Sequence, residues 1–331
     1  MSRKLLLGLD IGGSKIEARL CEVIYDESGQ YQFYNRTKEL NSLNSLAVSR
    51  IPTQRDLGHD NVMSRLKELI KQVCVDANVE LNDLSGIGIG LPGSVDPETG
   101  IMINGNSKIF IDQDIRKDIQ SIFSIDIDIQ IANDANCFAL AESICGAGKE
   151  YFLETGVNYS GQIGLGIILG TGTGGGLIYK GDIFSGRDGG ALEVGHSLLV
   201  TDGSPCYCGR AGCAEEYLSG PAIQSSHPDK LPSLEIFKRA EDGNDLELQI
   251  INTYKDHLVN FLTNLTNLYN PHFMVLGGGV SNQDTIYNGL EESIKENSFL
   301  KGKSPKIYKH QISDSAGVLG AIFLLKEKLN L

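Results

Sequence analysis

The chain carries one local plan twice. Leu5 to Asp10 is an apolar run with strand character, the turn Asp10-Ile11-Gly12-Gly13-Ser14-Lys15 follows, and Ile16 to Val23 reads as a second strand. Roughly 160 positions later the plan returns. Ile163 to Leu169 is an apolar strand, Gly170-Thr171-Gly172-Thr173-Gly174-Gly175-Gly176 is a glycine turn, and Leu177 to Tyr179 opens another strand. Both turns join strand to strand. The dinucleotide-binding fingerprint and the Walker loop each lead into a helix, so neither describes this chain. The duplication predicts two related α/β domains facing a cleft.

The remaining pattern is α/β. A third strand is expected over 31–38 and an irregular connection over 41–58, which contains Pro52 and Gly58. Val62, Leu66, Leu69, Ile70, Val73 and Ala77 mark an amphipathic helix over 61–77. Ile87 to Leu91 reads as a strand running into Pro92-Gly93, and Ser94 to Ile103 as a hairpin with Asp96 to Gly100 at its tip. A helix is expected over 112–123, a strand over 125–132 and a helix over 135–147, followed by a long connection over 151–162. The second half continues with a helix over 246–269 and a strand over 273–276 that ends in Gly277-Gly278-Gly279. A helix over 283–297, a strand over 305–309 and a closing helix over 315–328 follow.

Composition narrows the function. With 331 residues there is room for two full cores, and 41 % hydrophobic residues make the chain globular. A net charge of −13 argues against a nucleic-acid partner, which calls for clustered Lys and Arg. No apolar run is long enough for a membrane span, and nothing before Leu5 resembles a signal peptide. No membrane partner and a reducing, cytoplasmic location are therefore expected.

His196, Cys206, Cys208 and Cys213 stand close in sequence, with Gly209 and Gly212 among them. A lone His or Cys is usually a packing residue, but Cys₃His is a standard structural zinc set. Two disulfides are the rival reading, and a reducing compartment disfavours them. An ion on His196 and Cys213 would also immobilise Glu193 and Glu215, two acids suited to gripping hydroxyl groups. Cys21, Cys74, Cys137 and Cys145 lie in apolar contexts and read as core thiols.

Glycine-rich hairpins can aim several N–H groups at a phosphate. Singly, 12–15 or 170–176 reads as an ordinary tight turn. Together, with Asp10 placed to hold Mg²⁺ through water and a third glycine cluster at 277–279, they favour a polyphosphate. Asn133-Asp134 stands where a strand gives way to a helix, which suits either a helix cap or a general base acting on a hydroxyl.

Asp10–Lys15, Gly90–Gly93, Asn133–Cys137, Glu193–His196 and the Cys206–Glu215 run together resemble the ROK family of sugar kinases and sugar-responsive repressors, in the family's order along almost the whole chain. The resemblance implies an α/β, actin-like ATPase (ribonuclease-H-like) fold with two lobes around a central cleft. One lobe would comprise 1–132 with 315–331, the other 133–314 with the zinc segment 196–213. Because the chain starts directly at its first strand, it looks like the kinase branch, an ATP-dependent hexose kinase acting usually at O6. Asp134 would be the general base. Asn106, Asn133, Glu193, His196 and Glu215 would hold the sugar, His196 with one ring nitrogen on zinc and the other facing sugar. Cys206, Cys208 and Cys213 would complete the structural Zn²⁺ site. Asp10, Gly12, Gly13, Ser14 and Lys15 would serve Mg²⁺ and ATP, as would Gly170, Thr171, Gly172, Thr173, Gly174, Gly175 and Gly176, with Gly278 and Gly279 near adenosine. The partners implied are a small-molecule hexose, ATP and a second copy in a homodimer.

Gly93-Ser94, Asn104–Ser107, Ile131–Cys137 and Pro205–Cys208 are most similar to the bacterial fructokinase/mannokinase branch. N-acetylglucosamine kinase and glucokinase are the alternatives within the family, and a sugar-binding sensor without turnover is the alternative outside enzymes. Many members carry a tryptophan shortly after the position of Asn106; this chain has none, and Ile109 and Phe110 occupy that stretch.

Overall fold

The computed structural model describes residues 4–24, 43–96, 98–105, 107–123, 126–312 and 315–329. The strand expected over 31–38 and the candidate sugar ligand Asn106 lie outside them. The chain divides into two compact units. The first comprises Met1–Lys149, Phe184–Ala191 and Ile312–Leu331, and the second Glu150–Ile183 and Leu192–Gln311.

In the first unit, strands β1 (Lys4–Ile11), β2 (Lys15–Val23) and β3 (Leu43–Pro52) are followed by helix α1 (His59–Asp76) and β4 (Leu84–Leu91). The small hairpin of β5 (Ser94–Val95) and β6 (Met102–Asn104), helix α2 (Ile115–Phe123), β7 (Ile129–Asn133) and α3 (Asp134–Cys145) come next. The sheet order is β3-β2-β1-β4-β7. Strand β2 runs antiparallel to both β1 and β3, while β1, β4 and β7 run parallel. Strand β1 is central and covered on both faces, which is why it reads as a continuous apolar run. Its side chains still alternate. Leu5, Leu7, Leu9 and Ile11 share a core with Val62, Leu66, Leu69, Ile70 and Val73 of α1. Leu6, Gly8 and Asp10 take the opposite face.

Strand β3 corrects the expected irregular connection over 41–58. It is an edge strand, so its Asn, Ser and Arg side chains stay partly exposed. Pro52 closes it opposite Lys15, an edge position where a missing N–H is tolerated. The unit also runs on to Lys149, past the boundary drawn at 132. Helix α3 is buried on nearly every side, so it belongs to this core.

The expected helix over 135–147 breaks at Gly146, and α4 (Ala147–Thr155) occupies much of the expected connection over 151–162. The buried Glu142 organises the break. One carboxylate oxygen accepts the Ala147 N–H at 3.1 Å and the other the Ile312 N–H at 2.9 Å.

The second unit repeats the sheet plan. Strands β8 (Ile163–Leu169), β9 (Thr173–Tyr179) and β10 (Asp182–Ile183) precede the helices α5 (Glu215–Leu218), α6 (Gly220–Ser226), α7 (Ser233–Glu241) and α8 (Asp245–Tyr269). Strand β11 (Phe273–Gly277), helix α9 (Leu290–Asn297) and β12 (Lys306–Lys309) complete it. The order β10-β9-β8-β11-β12 again joins antiparallel strands to a parallel set of three. Helix α8 buries Ile251, Tyr254, Leu258, Phe261, Leu262 and Leu265, a stripe at helical spacing. The expected helix over 283–297 forms only as α9, because Gly289 turns left-handed at φ 72° and restarts the chain.

Helices α10 (Ala316–Phe323) and α11 (Lys326–Leu329) return to the first unit. Helix α10 lies directly on β1 and β4. A Cβ added at Gly8 would sit 2.5 Å from the Val318 carbonyl oxygen, and one at Gly88 would run into that of Ala321. Gly320 likewise leaves no room beside the Cys137 carbonyl of α3. Among the described residues, no helix is long and apolar enough to cross a membrane. Gly88→Ala is expected to cost about 1–3 kcal/mol, because the blocking atoms are backbone and cannot rotate away. Chemical denaturation reads this as a lowered midpoint, and an unchanged midpoint would refute the close packing.

Candidate active site

The parallel strands β1, β4 and β7 of the first unit end near Asp10, Leu91 and Asn133, and such carboxyl ends are where α/β sheets bind ligands. Asp10 is crowded there. A Cβ on Gly317 would lie 2.5 Å from its Oδ2, and one on Gly90 would lie 3.6 Å from its Oδ1. Burial raises its pKa from 3.8 to about 6; the facing Glu17 adds to this, while Lys15 and Arg50 oppose it. Beneath it lies the fully buried Cys137. Its thiol is pushed well above the usual value, first by burial and then by the charges of Asp10 and Asp134. The charges of both Asp10 and Asp134 thus reach one thiol.

The two readings of Asn133-Asp134 divide between the two residues. Asn133 is the cap of α3: its Oδ1 accepts the N–H groups of Ala135 at 2.8 Å and Asn136 at 3.3 Å. Its Nδ2 donates to the Gly93 carbonyl at 3.0 Å. Asp134 then begins the helix, partly exposed, with the Ala135 N–H 2.8 Å from its Oδ1. Asn133, expected to hold sugar, therefore has most of its amide engaged by the backbone.

Several charged residues near Asp10 escaped the sequence reading. Glu17, almost wholly buried, stands opposite Asp10 in the strand register. It accepts the Arg50 Nε–H at 2.6 Å and the Ser315 hydroxyl at 3.1 Å, and Arg19 lies 3.6 Å away. The signal was available: charges at 17 and 19 interrupt an otherwise apolar strand. Thr53 was also missed. It is fully buried, donates its hydroxyl to Gly12 O at 2.7 Å and its N–H to Ser14 O at 2.9 Å, and so clamps the first glycine hairpin.

In the second unit the glycine turn itself is Gly170-Thr171-Gly172, closed by the Gly170 N–H to Gly172 O bond at 2.9 Å. Gly174, Gly175 and Gly176 instead lie inside β9, paired with Ile168, Ile167 and Gly166. Gly175 leaves space for Val194, so strand β9 receives the short 3-10 turn Val194–His196. Gly278, at φ 85°, packs against Leu169 and Gly170, which places the 277–279 cluster beside the hairpin. Glu215 is tied to the same hairpin, its Oε2 accepting the Thr173 N–H at 2.7 Å. Glu193, which precedes the 3-10 turn, is exposed.

The ligand atoms of His196, Cys206, Cys208 and Cys213 all lie within 4.8 Å of one another. A tetrahedron with metal–sulfur bonds near 2.3 Å separates its sulfurs by about 3.8 Å. The Cys208 and Cys213 sulfurs are 3.6 Å apart, and Cys206 Sγ is 3.6 Å from His196 Nδ1, so the donor set fits one ion. Cys206, Cys208 and Cys213 are free thiols here, as are the four core cysteines. Burial pushes Cys206 up to about 12 and raises Cys213, whereas the backbone N–H of Arg210 holds Cys208 down. The other His196 nitrogen, expected to face sugar, instead lies 3.0 Å from the Tyr207 hydroxyl.

The raised pKa of Asp10 has a thermodynamic consequence. The folded chain holds this proton more tightly than the unfolded one, so stability falls as pH rises from about 4 through about 6. Asp10→Asn should therefore melt above the wild type at pH 7–8 in magnesium-free buffer, with the gap closing toward about pH 4. A gap independent of pH would refute this assignment.

The chain matches the model of the ROK family over residues 6–328. It is 32 % identical to the N-acetyl-D-glucosamine kinase of Aliivibrio fischeri, covering 96 % of this chain and 98 % of that protein. It is 30 % identical to the N-acetyl-D-glucosamine kinase of Pectobacterium atrosepticum, covering 96 % and 97 %. The ROK hexokinase of Thermus thermophilus superposes with a TM-score of 0.77 at 24 % identity, covering 98 % of this chain and 99 % of that one. A ROK glucokinase of Streptomyces griseus, solved with glucose and AMPPNP, gives 0.73 at 23 % identity, covering 97 % and 98 %. These likenesses show the actin-like ATPase fold that the duplicated sheets express. The chain belongs to the ROK family, among its sugar kinases.

Proposed function

We propose that this ROK sugar kinase transfers the γ-phosphoryl group of ATP to the 6-hydroxyl of N-acetyl-D-glucosamine. The observation that carries the chemistry is that Asp10 and Asp134 both stand at the carboxyl ends of the parallel strands, Asp10 in β1 and Asp134 directly after β7. The names of the full-length relatives supply the acceptor, and they move it away from the fructose or mannose suggested by the motifs.

Asp134 takes the proton of the sugar O6–H as that oxygen attacks the γ-phosphorus; the O–P bond forms, the bond to the β-phosphate oxygen breaks, and ADP leaves. Asn133 holds Asp134 in place through the helix cap. Asp10 is the group suited to Mg²⁺, which shields phosphate charge when bound. Within the hairpins Gly12–Lys15 and Gly170–Thr173, the tips Gly13-Ser14 and Thr171-Gly172 offer N–H groups to the phosphates, and Gly278 and Gly279 lie toward adenosine. Glu193 and the Oε1 atom of Glu215 take sugar hydroxyls, together with Asn106. His196 serves the metal and holds Tyr207. The metal is structural Zn²⁺, whose role is to keep the Cys206–Cys213 loop and Glu215 in register.

A coupled ADP-release assay tests the acceptor. N-acetyl-D-glucosamine should give the highest kcat/KM in a panel with N-acetylmannosamine, glucose, mannose and fructose. Preference for fructose or mannose would restore the motif-based reading, and sugar binding without turnover would favour a sensor. Asp134→Asn should lower kcat by about 10²–10⁴ while sugar binding persists. Turnover near the wild-type rate would remove Asp134 from its role. Cys208→Ser should lose bound zinc and weaken sugar affinity together; full zinc content with normal affinity would separate the two.

A further inference from the structure

Arg55, two residues beyond the Thr53 clamp, has no place in that mechanism. Gln54 adopts a left-handed conformation at φ 52°, which turns the chain sharply at the end of β3. Arg55 then opens a short 3-10 turn, and its side chain comes back onto the glycine hairpin. A Cβ added to Gly13 would lie 3.0 Å from Arg55 Nη1 and 3.6 Å from Cζ. The guanidinium thus occupies the space that any side chain at position 13 would claim.

We propose that Arg55 binds the polyphosphate of the nucleotide, making a clamp with the backbone of the Gly12–Lys15 hairpin; this rests on the ATP reading above. Two further observations support it. First, three of the four hairpin carbonyls are already engaged: Gly12 O takes the Thr53 hydroxyl, Ser14 O the Thr53 N–H, and Lys15 O the Gly12 N–H at 2.9 Å. No described residue accepts a hydrogen bond from the N–H of Gly13 or Ser14. Second, the Arg55 guanidinium makes no ion pair or hydrogen bond with any described residue. Arg19 of β2 and Arg50 of β3, by contrast, are both drawn to Glu17. A guanidinium and two N–H donors thus gather at one glycine with no acceptor among them.

An anion completes that set, and the planar fork of arginine matches the oxygens of a phosphate better than an ammonium does. The demand for such a cation is local. Arg19 and Arg50 are spent on Glu17, while Asp10 places a carboxyl group on the adjoining strand, so an arriving polyphosphate meets a negative charge there. Gly13 has a steric part as well, since its missing side chain leaves the guanidinium its seat.

Arg55 is exposed and on a short surface turn, so its replacement should leave the fold intact. Arg55→Gln and Arg55→Lys are compared with the wild type in KM for MgATP, kcat, KM for the sugar and inhibition by adenosine. Loss of a charge-assisted phosphate contact predicts a rise of about 10- to 100-fold in KM for MgATP for Arg55→Gln. The rise should be smaller for Arg55→Lys, with sugar KM and the adenosine inhibition constant within twofold. A MgATP KM within twofold of wild type in Arg55→Gln overturns the proposal, and so does an equal loss for adenosine. A different preferred sugar changes the acceptor and leaves Arg55 where it is placed. A wild type that fails to bind MgATP overturns the nucleotide reading and this one together, and is seen before any variant is made.

Discussion

Helix α10 approaches β1 and β4 until backbone meets backbone, and much of the first unit follows from that contact. Gly8 and Gly88 make it possible, since a side chain at either would strike α10 carbonyls. Gly320 extends it to α3. The same approach brings Gly317 against the Asp10 carboxyl and Ser315 onto Glu17. Tight packing strips water from Asp10 and lifts its pKa to about 6. Core and site therefore share one cause, and the carboxylate suited to a cation is one whose ionised form its buried setting disfavours.

The second unit has a comparable knot. The Gly195 backbone presses on Thr173 so closely that no Cβ fits, and the Thr173 N–H holds Glu215. His196 follows Gly195 directly, and Glu215 lies just beyond Cys213. Glycine hairpin, 3-10 turn and metal-ligand loop are thus one mechanical piece. A metal on His196, Cys206, Cys208 and Cys213 would stiffen the hairpin as well as the loop.

The legible parts of the sequence were those with short-range causes. The two strand–turn–strand units, the α1 stripe and the long α8 all appear near where apolar periodicity places them. The metal-ligand cluster was legible because a tetrahedral donor set needs turns and close spacing, and both are written locally. Strand β3 was not legible, because an edge strand may carry polar residues and a closing proline. Gly174 to Gly176 looked like part of a phosphate loop; they are strand residues, and the missing side chain of Gly175 admits Val194. Both glycine uses produce the same letters.

The sequence by itself determined the duplicated sheet plan, the resemblance to the ROK family and the candidate ligand set, since each rests on residue type at short spacing. Tertiary structure alone decided how those residues divide their labour. Asn133 became the cap and Asp134 the first residue of the helix, His196 turned its second nitrogen to Tyr207, and Thr53 closed on the hairpin. It also gathered Glu17, Arg50 and Ser315 into one network across a separation of 298 residues. Hydrogen bonds and desolvation act through space at a few ångströms, and no local pattern encodes which distant backbone will arrive there.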